Sequence, residues 1–147
     1  LVRHEVSAVR AAVVDLLHRG DLLAQGTKDA DPYVRRRALI RWAQLDPEAA
    51  RPTLTRAVRD DDAGVRRAAC AVLAGQSEEA GISALLAAAD DTDASVRTAA
   101  MRALPKELGR RLVPVIHGDA RQRRAVVHAL RAERRRFRRQ ETASNAR

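Results

Sequence analysis

One twelve-residue pattern recurs along this chain at a nearly fixed distance. It reads Asp62-Ala-Gly-Val65-Arg66-Arg67-Ala68-Ala69-Cys70-Ala71-Val72-Leu73. A copy lies 31 residues later, from Asp93 through Val96 and Arg97 to Leu104, and another 31 residues earlier, from Asp31 through Val34 and Arg35 to Trp42. A fourth copy starts at Asp119, 26 residues after Asp93, and a fifth is centred on Val9, 25 residues before Val34. A repeat of this length is one supersecondary unit that cannot bury its apolar face alone, so neighbouring copies must stack into a continuous core. That requirement excludes most other architectures before any residue is read for chemistry.

Each copy reads as helix. The chain is 46% hydrophobic but only 2% aromatic, which leaves Ala, Val and Leu to fill the core. Ala and Leu are strong helix formers, and small side chains let helices approach closely. Asp31, Asp62, Asp93 and Asp119 stand where a helix N-cap belongs, three residues before the first anchoring position of each copy. Pro32 follows its cap at the first helical position, where a missing N–H costs nothing.

In chain order the spacing predicts an amphipathic helix over 2–18, with Val6, Val9, Ala12, Val13, Leu16 and Leu17 on the buried face and Gly20 as its end. A short helix at best follows over 21–28. Further helices are expected from Pro32 to about Leu45, and from Asp46-Pro47 to about Arg59, broken or bent near Pro52. The helix capped by Asp62 should stop at Gly75, and the next should start at Ser77 with Ile82, Leu85, Leu86 and Ala89 inward. After the helix over 94–104, Pro105 opens another that Pro114 should distort, with Leu108, Leu112, Val115 and Ile116 inward. The last helix is expected over 120–139, which sets the domain at 1–139 and leaves 140–147 as a disordered tail. Within each pattern copy the anchoring Val and the positions 3, 4, 7 and 8 beyond it should be buried. Arg37 and Arg41 break that rule and should reach a surface or a neighbour's acid. Trp42, at the position of Leu73 and Leu104, is read as core.

The alternation of one helix, an Asp-rich turn, and then D-x-x-V-R-x-x-A-x-x-x-L resembles the HEAT repeat. More specifically it resembles the short HEAT-like repeats of about 30 residues, the kind found in phycobilin lyase subunits. The resemblance covers about residues 2–139 and implies an all-α, right-handed α-α superhelical solenoid, with the pattern helices lining the concave side. It also implies a ladder of Asp and Arg side chains stitching adjacent repeats. The candidates are Asp31, Arg35, Asp62, Arg66, Asp93 and Arg97, together with Asp29, Asp60, Asp91 and Arg123.

No catalytic constellation stands out. His4, His18, His117 and His128 are scattered, with no metal-ligand spacing, and the Asp60-Asp61-Asp62 run lacks the Gly turn and terminal Glu of a calcium loop. Cys70 has no acid or His placed by sequence to activate it and reads as a buried or half-buried small hydrophobe. The expectation is therefore a non-enzyme with no cofactor and no metal. The single cysteine excludes an internal disulfide and fits a cytoplasmic, reducing location. No apolar run reaches the ~18 residues of a membrane span. Leu1 in place of Met fits a fragment or a trimmed product.

The positions 2 and 6 beyond each anchoring Val are expected to face the concave groove. They include Arg36, Ile40, Arg67, Thr98, Arg102, Arg124 and His128, with Ala11, Asp15 and Ala71 completing the set. An Arg stripe suits an acidic peptide, an acidic protein surface or phosphates, because the guanidinium fork matches carboxylate and phosphate geometry. The same residues also fit an ordinary solvated face in an Arg-biased chain, which has 28 basic residues of which only Lys28 and Lys106 are Lys.

Charge is unevenly placed. Residues 1–118 carry 18 basic and 16 acidic side chains, whereas 119–147 carry 10 and 3. The basic end comprises Arg131, Arg134, Arg135, Arg136, Arg138 and Arg139 around Phe137. A near-neutral body with no catalytic set favours a scaffold that binds protein through the groove. The alternative is a nucleic-acid binder using the Arg stripe and the basic helix. HEAT-like DNA glycosylases are similar in fold, but no pattern in this chain carries over their base-excision site. Lyase activity would rest on the repeat resemblance alone.

Overall fold

The computed structural model describes residues 2–74 and 78–145, with side chains placed from Glu5 onward. Among the described residues it contains nine helices and no strand. They are α1 (Val2–Leu16), α2 (Gly20–Gly26), α3 (Pro32–Leu45), α4 (Pro47–Ala57), α5 (Ala63–Val72), α6 (Glu79–Ala88), α7 (Ala94–Ala103), α8 (Lys106–Leu112) and α9 (Ala120–Asn145). The helix pairs stack as an all-α solenoid. The pattern helices α1, α3, α5 and α7 form one layer, each packed on the next, while α2, α4 and α6 form a second layer against them.

The caps follow the sequence closely. Asp31 accepts from the Tyr33 N–H, Asp62 from Val65, Asp93 from Ser95 and Val96, and Asp46 from Ala49. Each bond satisfies a backbone donor that the first turn leaves free. Three boundaries differ from expectation. Gly20 opens α2 rather than closing α1. Pro52 sits inside α4 without ending it, its ring on the exposed side. Helix α9 runs on to Asn145, so 140–145 are helical and not a disordered tail. The expected stop at Gly75 and start at Ser77 lie outside the described residues.

The layers are joined by a core of aliphatic side chains, with Leu39, Leu54, Leu73, Leu85, Leu112 and Leu130 almost completely buried. Burying each contributes about 2 kcal/mol. A smaller cluster of Ala11, Val14, Leu23, Val34 and Ala38 packs under α1, and Trp42 borders both clusters, as core and not as an exposed stacking surface. The buried face of α5 is turned from the expected one, whereas in α7 Ala103, at position 7, is buried as expected. Val65, Ala69, Cys70 and Leu73 are fully buried, whereas Ala68 and Val72 are only half-buried. The fifth position beyond the Val, occupied by Cys70 or Leu39, faces the second layer. Helix α1 differs more. Ala11 and Val14 meet α3, while Val6, Val9, Val13 and Leu16 remain exposed, because no helix among those described covers that side.

Adjacent repeats are also stitched by ion pairs. Arg35 donates through Nε and Nη2 to Asp60 at 2.9 and 2.7 Å, and Arg66 donates likewise to Asp91 at 2.8 and 3.0 Å. The third guanidinium nitrogen bonds carbonyls of the arginine's own turn, Asp29 and Ala30 for Arg35, Asp60 and Asp61 for Arg66. Each ladder carboxylate in turn accepts a backbone N–H two residues on, from Asp62 to Asp60 and from Asp93 to Asp91. Burial would raise the Asp60 carboxyl, but the Arg35 guanidinium and the Asp62 N–H outweigh it and hold the group below the usual range. The pairing corrects one assignment. Asp31, Asp62 and Asp93 cap helices, and the ladder acids are Asp29, Asp60 and Asp91. Arg10, which sequence reasoning left out of the ladder, holds Asp29 in the same bidentate way. It occupies the same place in its copy as Arg35 and Arg66, so the signal was present.

The ladder stops at the fourth copy. The position equivalent to Asp91 there is His117, and Arg97 bonds the Ile116 carbonyl instead, at 2.8 Å. Gln122 replaces the anchoring Val and is exposed. Helix α9 accordingly leaves the pattern layer and makes its main contacts with α6 and α8. Arg123 and Arg124 reach back to one carboxylate, Asp90 at the end of α6, while Arg134 reaches Glu79 at its start. The two helices therefore run antiparallel. With α9 on one side and the repeat core on the other, α6 buries Gly81, Ile82, Ala84, Leu85, Leu86 and Ala88.

Candidate partner-binding groove

An open recess of about 630 Å³ crosses α3, α5 and α7. Its floor is Ile40, Ala68, Ala71, Ala99 and Ala103, and its rim is Arg36, Arg37, Arg67 and Arg102. The repeat builds it directly. Positions 2 and 6 beyond the anchoring Val line it in α3 and α5, as does position 6 in α7, and half-buried Ala68 and Ala99, at position 3, fill little of the space between helices. Gly64 opens one corner, because a Cβ there would lie 2.9 Å from the Asp62 carboxylate and 3.6 Å from Arg36 Nη1.

Among the described residues no carboxylate lines the recess. Arg37 is the one rim arginine that holds an acid, Asp15 of α1. The Arg36 guanidinium lies over the Tyr33 ring, 5.2 Å from its centroid, a contact that leaves its charge unneutralised. Arg67 and Arg102 have no hydrogen bond or ion pair among the described residues, and both are exposed. A groove with an apolar floor and three unneutralised guanidinium groups can take a segment that offers small apolar contacts flanked by carboxylates or other anions.

The structure brings together only part of the expected set. Arg36, Ile40, Arg67 and Arg102 converge on the recess. Thr98 does not line it. The Thr98 hydroxyl bonds the Ala94 carbonyl of its own helix and lies 3.4 Å from His117 Nε2. Arg124 and His128 are elsewhere, because α9 has left the layer, and Arg124 is engaged by Asp90 at 2.9 Å. Ala11 is buried under α3, and Asp15 serves Arg37. Arg41 donates to the Leu17 carbonyl at 3.2 Å. Arg37 reaches a neighbour's acid, as its break in the pattern implied, but sequence reasoning did not place it on the groove rim, and it placed the alanines at position 3 inside the core. The signal lay in Arg37 itself, a charge at a position otherwise held by Ala.

The basic end divides in two. Arg134 is anchored to Glu79, and Arg131 is half-buried, whereas Arg135, Arg136, Arg138 and Arg139 are exposed with no partner among the described residues. Cys70 is fully buried, and burial pushes its thiol up to about 12. The Asp-rich turns use their carboxylates for caps and ladder, and among the described residues no cluster of three His, Cys, Asp or Glu could hold a metal ion. No described helix is long and apolar enough to cross a membrane.

Comparison with known proteins adds one positive finding. The family model for HEAT repeats matches residues 20–105, more than half of the chain and the span that builds the groove. No curated protein and no solved structure matches.

Proposed function

Because the chain belongs to the HEAT-repeat family, in which the repeats commonly mediate protein interactions, we propose that it is a non-catalytic scaffold that holds an acidic segment of a partner protein in this groove. The groove would be the concave face of the solenoid. The observation that carries the reading is the pair Arg67 and Arg102, exposed and without an acid, above a floor of alanines. Arginines that serve the fold among the described residues are held by a carboxylate or a carbonyl, as Arg35, Arg66 and Arg97 are. A small apolar floor favours contact with a packed helix or strand, and the arginines select its charge.

The test places a photo-crosslinking residue at Ala71, which is exposed on the groove floor. After irradiation in native extract, the expected adduct is a protein. Its yield should fall when Arg67→Gln and Arg102→Gln are added. A nucleic-acid adduct, or a protein adduct indifferent to both substitutions, would sink the reading.

A further inference from the structure

We propose that the free end of α9 binds the phosphate backbone of a nucleic-acid duplex. Helix α9 is fixed to the body as far as Arg134, by buried Val127 and Leu130, by Arg111 on Glu133, and by Arg134 on Glu79 at the start of α6. Beyond that point eleven residues remain helical, to Asn145, which extends the rod by about 16 Å at 1.5 Å per residue. The acids near this end gather on one side of the helix. Glu79, Glu107, Glu133 and Glu141 surround Phe137 and Leu108 in the recess between α9 and the body, which Arg134 and Arg138 also line, and Arg136 shares a neighbouring recess with Glu133. On the other side Arg135, Arg139 and Thr142 line a shallow recess of about 310 Å³ with no carboxylate in it, and Arg138, at the boundary, lines both recesses.

This arrangement is costly for a helix on its own. Arginines three and four residues apart stack on one face and repel, by a few tenths of a kcal/mol per pair. A row of phosphates relieves that repulsion, and Arg135, Arg136, Arg138 and Arg139 have no partner among the described residues to do so. The chemistry also discriminates among polyanions. A helix lying in a lipid surface needs a broad apolar face, and this segment offers Phe137 alone. Single-strand binding needs aromatic platforms for the bases, and the whole chain has one Phe, one Tyr and one Trp. A rigid basic rod with no stacking residues matches the backbone of a duplex, whose grooves admit a helix and whose phosphates need only charge. Because α9 does not line the groove of α3, α5 and α7, this surface is independent of the protein-binding reading.

The test is fluorescence anisotropy of the full chain with a labelled DNA duplex, from about 50 to 200 mM salt. A variant carrying R135Q, R136Q, R138Q and R139Q is compared with a groove variant carrying R67Q and R102Q, with circular dichroism confirming that both are folded. The wild-type chain should bind with a steep salt dependence. The α9 variant should lose at least about tenfold in affinity at the higher salt, and its slope should fall by roughly three to four, near 0.9 for each lost phosphate contact. The groove variant should bind duplex as the wild type does. The proposal is overturned if the α9 variant binds equally well, if the groove variant is the one that loses binding, or if the wild type shows no duplex binding at the higher salt. Displacement of the duplex by single strands or by phosphatidylserine vesicles at lower concentration than by unlabelled duplex would overturn it as well.

Discussion

Arg66 on α5 grips Asp91, twenty-five residues further on, through two hydrogen bonds of 2.8 and 3.0 Å. Both side chains are mostly buried, and the same Asp91 oxygen that takes Arg66 Nη2 also accepts the Asp93 N–H at 2.8 Å. One carboxylate thus joins two repeats and shapes the turn that starts α7. Removing it strands a guanidinium in a nearly dry site. Asp91→Ala should destabilise the chain by about 3 kcal/mol, read as a lower urea midpoint. Arg67→Gln, one position along on the exposed side, should stay within about 0.5 kcal/mol. Equal effects of the two would remove the distinction between ladder and groove arginines.

The ladder and cap carboxylates also set a pH dependence. Asp29 is held below the usual carboxylate range chiefly by Arg10, Asp93 chiefly by Ser95, and Asp60 by Arg35 and a backbone N–H against the opposing effect of burial. Unfolded, such groups titrate near ~3.9. Between the folded and unfolded values the folded chain binds fewer protons, so their stabilisation is complete above about pH 5 and is lost as pH falls through 3.9 and below. The melting temperature should be flat from pH 7 to about 5 and drop steeply toward 3. Asp60→Asn should lower the plateau and flatten the drop. A melting temperature that held down to pH 3 would contradict this account.

Cys70 offers a probe of the core. Its side chain is fully buried, and burial pushes its thiol up to about 12. At pH 8 the thiolate fraction is then about three orders of magnitude below that of an ordinary cysteine. Labelling by a thiol reagent should be slow in the native chain and should track unfolding as urea is added. Rapid native labelling would place Cys70 outside the core.

Two leucines on adjacent helices separate a buried from an exposed stripe. Leu16, 75% exposed on α1, should tolerate Leu16→Lys within about 0.5 kcal/mol. Leu23, fully buried on α2, should lose about 3 kcal/mol on Leu23→Ala. A large loss at Leu16 would show that the stripe of Val6, Val9, Val13 and Leu16 is covered.

Gly109 is needed for the closeness of α8 to α7. A Cβ at that position would sit 2.9 Å from the Met101 carbonyl oxygen, a backbone atom that cannot swing aside. Gly109→Val should separate the two helices and cost about 1–3 kcal/mol, seen as a lower melting temperature. An unchanged melting temperature would show that the helices can part at no cost.

Much of this was legible in the sequence because it is local. A cap such as Asp62 bonds an N–H three residues away, and a helix face is fixed by its own 3.6-residue period. The repeat supplied the rest, since identical units must stack in the same way. Arg35 and Arg66, and even the missed Arg10, follow from position within the unit. The course of α9 was not local. Its sequence carries the same pattern, and the two departures that matter, His117 and Gln122, remove a ladder acid and an anchoring Val that only neighbouring helices would have engaged. The other half of the signal lay in α6, whose Gly81, Ala84 and Ala88 are small and apolar on the side away from the expected core. A helix apolar on all sides needs cover on all sides.

The sequence by itself determined that this chain is a stack of helix pairs, where its Asp-capped helices start, and that Arg35 and Arg66 help lock one pair to the next. Tertiary structure decided which arginines remain open to a partner. Arg36, Arg67 and Arg102 gather at the groove, Arg37 is claimed by Asp15, and Arg124 is drawn to Asp90 on another helix. The physical reason is range. Period and cap chemistry act within a few residues, whereas the neutralisation of a charge depends on which distant carboxylate the packing brings within about 3 Å of it.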